Sequence, residues 1–370
     1  EPFLHRDLHA GNLLIGRAGQ PRILDLHSVW RVPRLTHGMC LAMLGRLFHS
    51  VRFRFDLDEL PAWLEPDARR RGEPLDRWVR DVRRAVRRFE LDHVRGRSAR
   101  CLRETSEFTH GPVAEGRVWR RKEYAVEQLR ADLTDHEACL AEGGARVLGR
   151  ARRSTVSLTP DGQRVVKRYL DAGGLVSLRA RLGLGRSRVA WRFARRYRVM
   201  GVPTPQGLAL LEHADGSATL VTRAVPQGRG LLELNAQERP REASDALAHA
   251  LGHVVGRLAR AGLRHNDMSP KNIVVSGVEP EEVVDLRMRP RPGDPDVQLI
   301  DLDGMTRMTP HDPAAVARML GQLADLPRDP TRRERRRFAQ GYARAAGRDL
   351  TPDVLVVAER RLAARSRRSG

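Results

Sequence analysis

The chain has 370 residues, a length that allows two domains, and 41% of them are hydrophobic, which is enough for packed cores. These values exclude a wholly disordered or fibrous protein. The formal net charge is +21, and lysine supplies only three of the 67 basic residues. Such an excess of arginine arises either from a GC-rich genome or from binding to polyanions, such as phosphorylated substrates, anionic membrane surfaces or nucleic acid.

The cysteines and the apolar stretches indicate the compartment. Cys40, Cys101 and Cys139 are isolated in the sequence, without the spacing of metal ligands or of a disulfide framework. We therefore expect a reducing compartment, with the cytoplasm as the default. No uninterrupted apolar stretch is long enough to span a membrane, so any membrane contact would be peripheral, at the inner face of the cytoplasmic membrane.

The first predicted element is a polar loop followed by two short strands. Residues 5–15 read His-Arg-Asp-Leu-His-Ala-Gly-Asn-Leu-Leu-Ile, and residues 22–27 read Arg-Ile-Leu-Asp-Leu-His. The chain opens almost directly on this loop, so we expect it to begin partway through a longer one. Helices are predicted over residues 41–51 and 75–91, and a domain boundary is predicted within residues 95–103.

The next elements predict a sheet and a basic helix. Residues 146–157 and 163–169 are expected to form two strands joined by a Thr-Pro-Asp-Gly turn, with Lys167 near the end of the second. The following segment, residues 172–211, contains eight arginines and no Asp or Glu. Its apolar period predicts a helix over 188–200, with two opposite faces. The core face comprises Val189, Phe193, Tyr197 and Met200, and the outer face comprises Arg188, Arg192, Arg195 and Arg196.

The elements that follow lead to a second polar loop. Residues 219–225 predict a strand, and Pro226-Gln227-Gly228 predict a hinge. Residues 247–258 predict a helix that ends at Gly262. Residues 265–275 then read His-Asn-Asp-Met-Ser-Pro-Lys-Asn-Ile-Val-Val, and residues 298–304 read Gln-Leu-Ile-Asp-Leu-Asp-Gly. Farther on, the arginines at 332–337 and Glu334 between them are expected on a solvated helix surface.

The two loops are copies of one pattern, H-x-D-x4-N followed by three branched apolar residues and a second strand that ends at an aspartate. They lie about 260 residues apart, which indicates the duplication of a domain and not a solenoid repeat. The second copy has the longer hairpin, because 34 residues separate Asp267 from Asp301, against 18 between Asp7 and Asp25. A Pro/Gly/Asp-rich loop at residues 279–296 accounts for the excess.

The pattern fits phosphoryl transfer. An aspartate beside a hydroxyl can accept its proton, and an asparagine five residues later can hold Mg²⁺ together with an aspartate after the next strand. The hairpin between the two metal ligands brings them back to one edge. We therefore predict Asp267 as catalytic base, Lys271 at the transferred phosphate, and Asn272 and Asp301 as metal ligands. The first copy offers the corresponding set, with Asp7 as base and Asn12 and Asp25 as metal ligands.

Both loops, with their apolar-apolar-Asp strands, resemble the protein-kinase-like superfamily. Within it, His-Arg-Asp-Leu-His-Ala-Gly-Asn-Leu-Leu with Ile-Leu-Asp-Leu-His resembles the lipopolysaccharide core kinases of the Kdo/WaaP type, which phosphorylate Kdo or heptose sugars. The resemblance implies an α+β bilobal kinase-like fold, with a small β-rich N-lobe and a mainly helical C-lobe. It implies a partial C-lobe at residues 1–97 and a complete kinase-like domain at 98–370, with the N-lobe at about 98–225 and the C-lobe at about 226–370.

The resemblance also implies ATP and Mg²⁺ as cofactors and a phosphorylated glycolipid or sugar as acceptor. Lys167 would contact the α and β phosphates of ATP, and adenine would lie against the hinge. Two features depart from the kinase pattern. The Gly-rich loop is reduced to Gly149 with neighbouring arginines at 150, 152 and 153. The helix after Lys167 lacks the usual glutamate, and Trp191 stands near its place. Either the lysine uses another carboxylate, such as Asp301, or the domain is a pseudokinase.

Other functions remain open at this stage. The alternatives are a protein serine/threonine kinase, a small-molecule kinase of the aminoglycoside or choline type, and a non-catalytic scaffold that binds anionic glycolipid. A cationic acceptor would need an acidic pocket, and clustered acids are sparse in this chain. Nucleic acid is disfavoured, because aromatic residues make up only 5% of the chain and no binding motif is recognisable. The arginines of 172–211 would contact phosphorylated glycolipid or anionic headgroups, or they reflect composition alone.

Overall fold

The computed structural model describes residues 2–17, 19–51, 59–170, 185–276, 295–352 and 354–357. Most of the long loop expected at 279–296 and the first part of the acid-free segment lie outside these residues. The chain divides into two compact units, Glu1–Gly96 and Arg97–Gly370. Within the described ranges, no helix combines the length and the apolar character that crossing a membrane requires.

The described residues of the first unit form two strand pairs and three α-helices. Strand β1 (Phe3–His5) pairs with β4 (Val29–Arg31), and β2 (Leu13–Ile15) pairs with β3 (Pro21–Ile23), both antiparallel. The helices are α1 (His37–Val51), α2 (Leu60–Arg71) and α3 (Leu75–Ala99). The predicted helices are confirmed, but α3 runs eight residues beyond its predicted end, since its apolar stripe continues to the buried Val94.

The N-terminal part of the second unit is rich in strands, as predicted. Seven strands form one antiparallel sheet in the order β5-β6-β10-β11-β9-β8-β7. They are β5 (Phe108–Val113), β6 (Gly116–Arg121), β7 (Val147–Ala151), β8 (Ser154–Leu158), β9 (Arg164–Tyr169), β10 (Gly207–His213) and β11 (Ala218–Arg223). Helix α4 (Val126–Glu142) precedes β7, and α5 (Arg186–Val199) follows β9.

The single strand predicted over residues 146–157 is wrong. The backbone turns at Arg152-Arg153 and forms the two strands β7 and β8 instead. Neither residue is a typical turn former, so no turn signal marks a hairpin at this point of the sequence. Strand β9 pairs with β8 on one side and β11 on the other, and Lys167 lies opposite Val156 and Leu220.

The helix predicted at 188–200 is confirmed as α5, but its buried face is rotated from the prediction. Trp191 is 1% exposed, packs edge-to-face against Phe108 and donates its indole N–H to the carbonyl oxygen of Cys101 at 3.0 Å. Because this large side chain fills the core, Arg188 and Arg195, which were expected in solvent, become partly buried. They form ion pairs with Glu212 and Glu107.

The C-terminal part of the second unit is mainly helical, as predicted. Its helices are α6 (Leu231–Ala236), α7 (Arg241–Ala261), α8 (Pro313–Leu323) and α9 (Arg332–Ala346). Two small sheets complete it: β12 (Arg229–Gly230), β14 (Ile273–Ser276) and β15 (Asp296–Leu299), and the pair β13 (Leu263–His265) and β16 (Met305–Arg307). Gly262 ends α7 in a left-handed conformation, φ 63°, which confirms the predicted C-cap.

Helices α7 and α9 cross with their backbones almost in contact. A Cβ at Gly341 would lie 2.0 Å from the carbonyl oxygen of His249, and a Cβ at Gly252 would lie 2.0 Å from that of Phe338. These glycines therefore set the distance between the two helices. Since α7 leads through Gly262 into β13, the crossing also fixes where the second polar loop begins.

Glu334 is buried, contrary to the solvated surface predicted for it. It forms a capping box with Thr331 at the start of α9, and its carboxylate accepts a hydrogen bond from Arg328 at 2.6 Å. Burial alone would raise the pKa of Glu334, but the hydrogen bonds from Arg328 and Thr331 outweigh it and lower the pKa to about 2. The carboxylate therefore anchors the N-terminus of α9.

We expect Gly341→Ala to destabilise the second unit by about 1–3 kcal/mol, because the added methyl group would force α7 and α9 apart. The neighbouring change Gln340→Ala, on an exposed position of the same helix, serves as control and should stay within about 0.5 kcal/mol. Thermal or denaturant unfolding measures both. Equal stability of the two variants would contradict the backbone contact.

Candidate active site

His265, to which no role was assigned from the sequence, holds the backbone of the second polar loop in place. One ring nitrogen, Nε2, donates to the carbonyl oxygen of Ile300 at 2.9 Å, and Nδ1 accepts the backbone N–H of Asp267 at 3.3 Å. Burial lowers the pKa of His265, which keeps the ring neutral and suits one donor and one acceptor nitrogen. The histidine thus ties the predicted base to the residue before Asp301.

Asn272 closes the same loop. Its side-chain amide donates to the backbone carbonyl of Asp267 at 2.9 Å, and its own carbonyl accepts the N–H of Ile300 at 3.0 Å. The β14–β15 hairpin therefore places Asn272 and Asp301 at one end, as predicted. Their amide and carboxylate oxygens are of the kind that Mg²⁺ prefers, and this ion usually takes one or two protein ligands together with phosphate oxygens. No group of three or more His, Cys, Asp or Glu suited to a metal occurs in the described ranges.

Asp267 and Lys271 lie side by side in the loop, with Nζ and Oδ2 3.2 Å apart. Partial burial favours the neutral form of Asp267. The hydrogen bonds from Lys271 and Ser269 and the charge of Lys271 act more strongly and lower the pKa of Asp267 below its usual value. The residue is therefore a carboxylate at neutral pH, the form that can accept a proton.

Asp301 has an unusual backbone conformation. Its φ and ψ are 59° and 57°, in the left-handed region, and Asp25 of the first copy has 61° and 51°. Only four non-glycine residues of the described chain have positive φ, and these two predicted metal ligands are among them. Such strain in a residue without a glycine's freedom is typical of functional positions. The two copies share it although the residue before the aspartate and the second residue after it differ.

Lys167 finds two carboxylates in the absence of a helix glutamate. Its Nζ contacts Asp301 Oδ1 and lies 3.3 Å from Asp303 Oδ2. The Asp303 side chain is 4% exposed and also pairs with Arg186 of α5, at 2.9 Å. The expectation that the lysine uses Asp301 as its partner therefore agrees with the geometry. Neither Asp303 nor Arg186 was predicted as part of the site, although Asp303 stands where the kinase Asp-Phe-Gly motif has its glycine.

Gln322 of α8 is a third residue that was not predicted as part of the site. Its side-chain amide donates to the carbonyl oxygen of Asn266 at 2.6 Å, and its oxygen accepts the N–H of Met268 at 3.0 Å. These backbone groups flank Asp267 on both sides, so Gln322 positions the loop from outside. A lone glutamine in a helix carries no sequence signal of this role.

The first copy repeats the loop geometry. His5 lies 3.3 Å from the carbonyl oxygen of Leu24 and accepts the N–H of Asp7 at 3.2 Å. Asn12 donates to the carbonyl oxygen of Asp7 at 3.0 Å and to Asp25 Oδ2 at 3.5 Å. The predicted site residues of this copy are thus brought together in the same way as Asp267, Asn272 and Asp301.

The surroundings of the first copy differ. His27 takes the place of Asp303 and pairs with Asp25, with Nδ1 and Oδ1 2.5 Å apart. Leu26 is 69% exposed, whereas the corresponding Leu302 is 6% exposed beneath α5. The first unit also contains no lysine. Within Glu1–Gly96, the loop therefore lacks the partners that surround its counterpart.

Several cations were predicted to contact the phosphates of a nucleotide. Lys167 is 17% exposed in its side chain, on β9. Of the arginines considered as substitutes for a Gly-rich loop, Arg150 donates to the carbonyl oxygen of Leu140, while Arg152 and Arg153 form the turn between β7 and β8. That turn stands where a phosphate-covering loop is expected, and its two guanidinium groups suit phosphate.

One family model matches the part of the chain that contains both Lys167 and the second polar loop. Residues 152–342 match the model of the lipopolysaccharide kinase (Kdo/WaaP) family. No curated protein matches the chain. Among solved structures, WaaP in complex with acyl carrier protein is 21% identical, with 62% of this chain and 91% of that chain covered and a TM-score of 0.43.

Two other solved structures illustrate the range of similar proteins. The GDP and kanamycin complex of APH(2")-IIia is 14% identical, covers 62% of this chain and 86% of its own, and has a TM-score of 0.39. Aminoglycoside phosphotransferase APH(3'')-Id from Streptomyces rimosus is 17% identical, with 62% and 96% covered and a TM-score of 0.36. The family match, which includes both Lys167 and the second polar loop, is the informative comparison.

We expect Asp303→Asn to weaken the binding of Mg·ATP about tenfold. Without Asp303, Lys167 would have Asp301 as its one carboxylate partner. That ion pair would then compete with the metal ion for Asp301 and with the phosphates for Lys167. Nucleotide titration followed by fluorescence measures the dissociation constant. Asp325→Asn, an exposed change in the same unit, is the control. Unaltered affinity in the Asp303 variant would contradict this role.

Proposed function

Because the chain belongs to the lipopolysaccharide kinase (Kdo/WaaP) family, we propose that it transfers the γ-phosphoryl group of ATP to a sugar hydroxyl of a lipopolysaccharide core, Kdo or heptose, or of a related glycolipid. Membership of the family makes the chain a phosphotransferase, and the acceptor is the proposed part. The observation that supports phosphoryl transfer at this site is the contact of Lys167 with Asp301, 134 residues away in the chain, and the acceptor follows from the family alone. This contact joins a phosphate-binding position to a metal-binding one.

In the proposed reaction, Asp267 accepts the proton of the acceptor hydroxyl as the phosphoryl group moves. Lys271, whose Nζ is 3.2 Å from this carboxylate, contacts the transferred group. Lys167 holds the α and β phosphates of the nucleotide. Asn272 and Asp301 would hold Mg²⁺, which when bound neutralises charge on the phosphates.

We assign this activity to the second domain, residues 98–370, with its N-lobe at about 98–225 and its C-lobe at about 226–370. Residues 1–97 correspond to a partial C-lobe, in which Asp7, Asn12 and Asp25 repeat the catalytic pattern. The absence of lysine from the first unit and the presence of His27 in place of Asp303 support this division of roles. The lysine partners of the second copy argue against a pseudokinase there.

The proposed partners are ATP and a phosphorylated glycolipid or sugar acceptor. The proposed location is the cytoplasm, with peripheral contact at the inner face of the cytoplasmic membrane. The excess of positive charge, +21 overall, supports contact with anionic acceptors.

Asp267→Asn should lower the rate of phosphoryl transfer by a factor of about 10²–10⁴, with nucleotide affinity retained, since the base is lost and the phosphate contacts remain. The test is transfer from labelled ATP in the presence of Mg²⁺. The equivalent change Asp7→Asn should leave most of the rate. An equal loss in both variants would contradict the assignment of activity to the second domain.

The acceptor is identified with a panel of Kdo- and heptose-containing glycolipids, aminoglycosides, choline and protein substrates. We expect label to enter the core sugars and to be lost in the Asp267 variant. Transfer to an aminoglycoside or a protein, with none to the glycolipids, would overturn the proposed acceptor.

A further inference from the structure

Three of the six arginines of helix α5 pair with carboxylates inside the protein. Arg188 makes two hydrogen bonds to Glu212, at 2.9 and 2.6 Å, and Arg195 makes two to Glu107, at 2.9 and 2.7 Å. Arg186 pairs with Asp303. These three guanidinium groups are therefore balanced by carboxylates of the protein itself.

Arg196 is different. It is partly buried, its Nε has no hydrogen-bond partner, and no carboxylate among the described residues lies within ion-pair distance of it. The charged groups near it are cationic. Burial lowers the pKa of Arg196 to about 10, and the neighbouring Arg307 and Arg192 lower it in the same direction. The guanidinium is still charged at neutral pH, so a partly buried charge stands among like charges.

Packing holds these three cations together. Arg192 and Arg196 are four residues apart on one face of α5. The hydroxyl group of Tyr197 lies 3.1 Å from the sulfur of Met305, which places β16 against this part of the helix. Arg307 is two residues beyond Met305 and so projects from the same side of the strand. In the described chain, neither Arg192 nor Arg307 has a carboxylate partner.

We infer that Arg192, Arg196 and Arg307 form a binding site for a phosphate group, distinct from the proposed ATP site. A phosphate group supplies several acceptor oxygens and up to two negative charges, and guanidinium groups bind it in a bidentate manner. It would satisfy Arg196 and relieve the repulsion among the three cations. A single carboxylate would balance less of this charge.

The location suits an acceptor that is already phosphorylated. Arg307 pairs with Leu263 in the β13–β16 sheet, and Asp267 follows Leu263 by four residues. Four residues of chain span at most about 14 Å, so the phosphate site lies on the strands that lead to the catalytic loop. The identification of the phosphate as part of a glycolipid headgroup rests on the proposed function, whereas the inference of a phosphate site does not.

The test is calorimetric titration of inorganic phosphate into the full chain at low ionic strength, with the ATP site saturated by a non-hydrolysable ATP analogue. We expect binding that weakens at least about tenfold in both Arg196→Gln and Arg307→Gln. Arg307 is exposed, so its variant should keep the fold, which circular dichroism and analogue binding verify. Arg318→Gln, at an exposed arginine on α8, is the matched control and should bind as the wild type does.

Vesicle flotation distinguishes the sources of phosphate. Binding to phosphatidic acid vesicles, absent with phosphatidylcholine and reduced in the Arg307 variant, supports a headgroup as ligand. If both variants lose inorganic phosphate binding but the wild type does not bind phosphatidic acid vesicles, the site is supported and its ligand is a free anion. The inference is overturned if the wild type does not bind phosphate, or if both variants bind it as tightly as the control. These outcomes need no turnover, so failure to phosphorylate a glycolipid would refute only the proposed function.

Discussion

The contact of Lys167 with Asp301 and Asp303 is the interaction on which the proposed active site of the second unit depends. The lysine belongs to the large sheet, and the two aspartates follow a small sheet of the helical part. Arg186 adds helix α5 to the same group. With two carboxylates available, Asp301 can turn towards a metal ion while Asp303 still balances the lysine. A single carboxylate would have to serve both cations at once, at a cost in electrostatic free energy.

This arrangement explains how a helix without a glutamate remains compatible with catalysis. Trp191 stands near the place of the usual glutamate, and its buried indole packs on Phe108. An acidic residue there would remove this packing from the core. The carboxylates that contact Lys167 come instead from Asp301 and Asp303, after strand β15. Arg186, at the start of α5, connects the helix to them through its ion pair with Asp303. The helix therefore contributes a positive charge in place of the usual negative one, but sheet, helix and loop are still joined by ion pairs.

The sequence predicted what local patterns determine. The polar loops, the hairpins after them, the cap at Gly262 and the helix α5 all depend on neighbours within a few residues, and all are present. The contact of Lys167 with Asp303 and the role of Gln322 depend on partners more than 50 residues away in the chain, which no periodicity encodes. The buried face of α5 was misjudged for the same reason, since its rotation is decided by Trp191 and the sheet beneath it. The turn at Arg152-Arg153 lacked the residue types that mark turns.

The two copies separate what a motif fixes from what its surroundings add. Both keep the histidine and asparagine contacts and the left-handed aspartate, because those bonds lie within the loop and hairpin. They differ at the position two residues after that aspartate, where His27 contacts Asp25 and Asp303 contacts Lys167. The same contrast applies to charge. Arginine is abundant throughout, yet its function is decided by whether a carboxylate stands opposite. Arg188 and Arg195 are structural because Glu212 and Glu107 face them, whereas no carboxylate of the described residues faces Arg196, which is why we infer an external anion there.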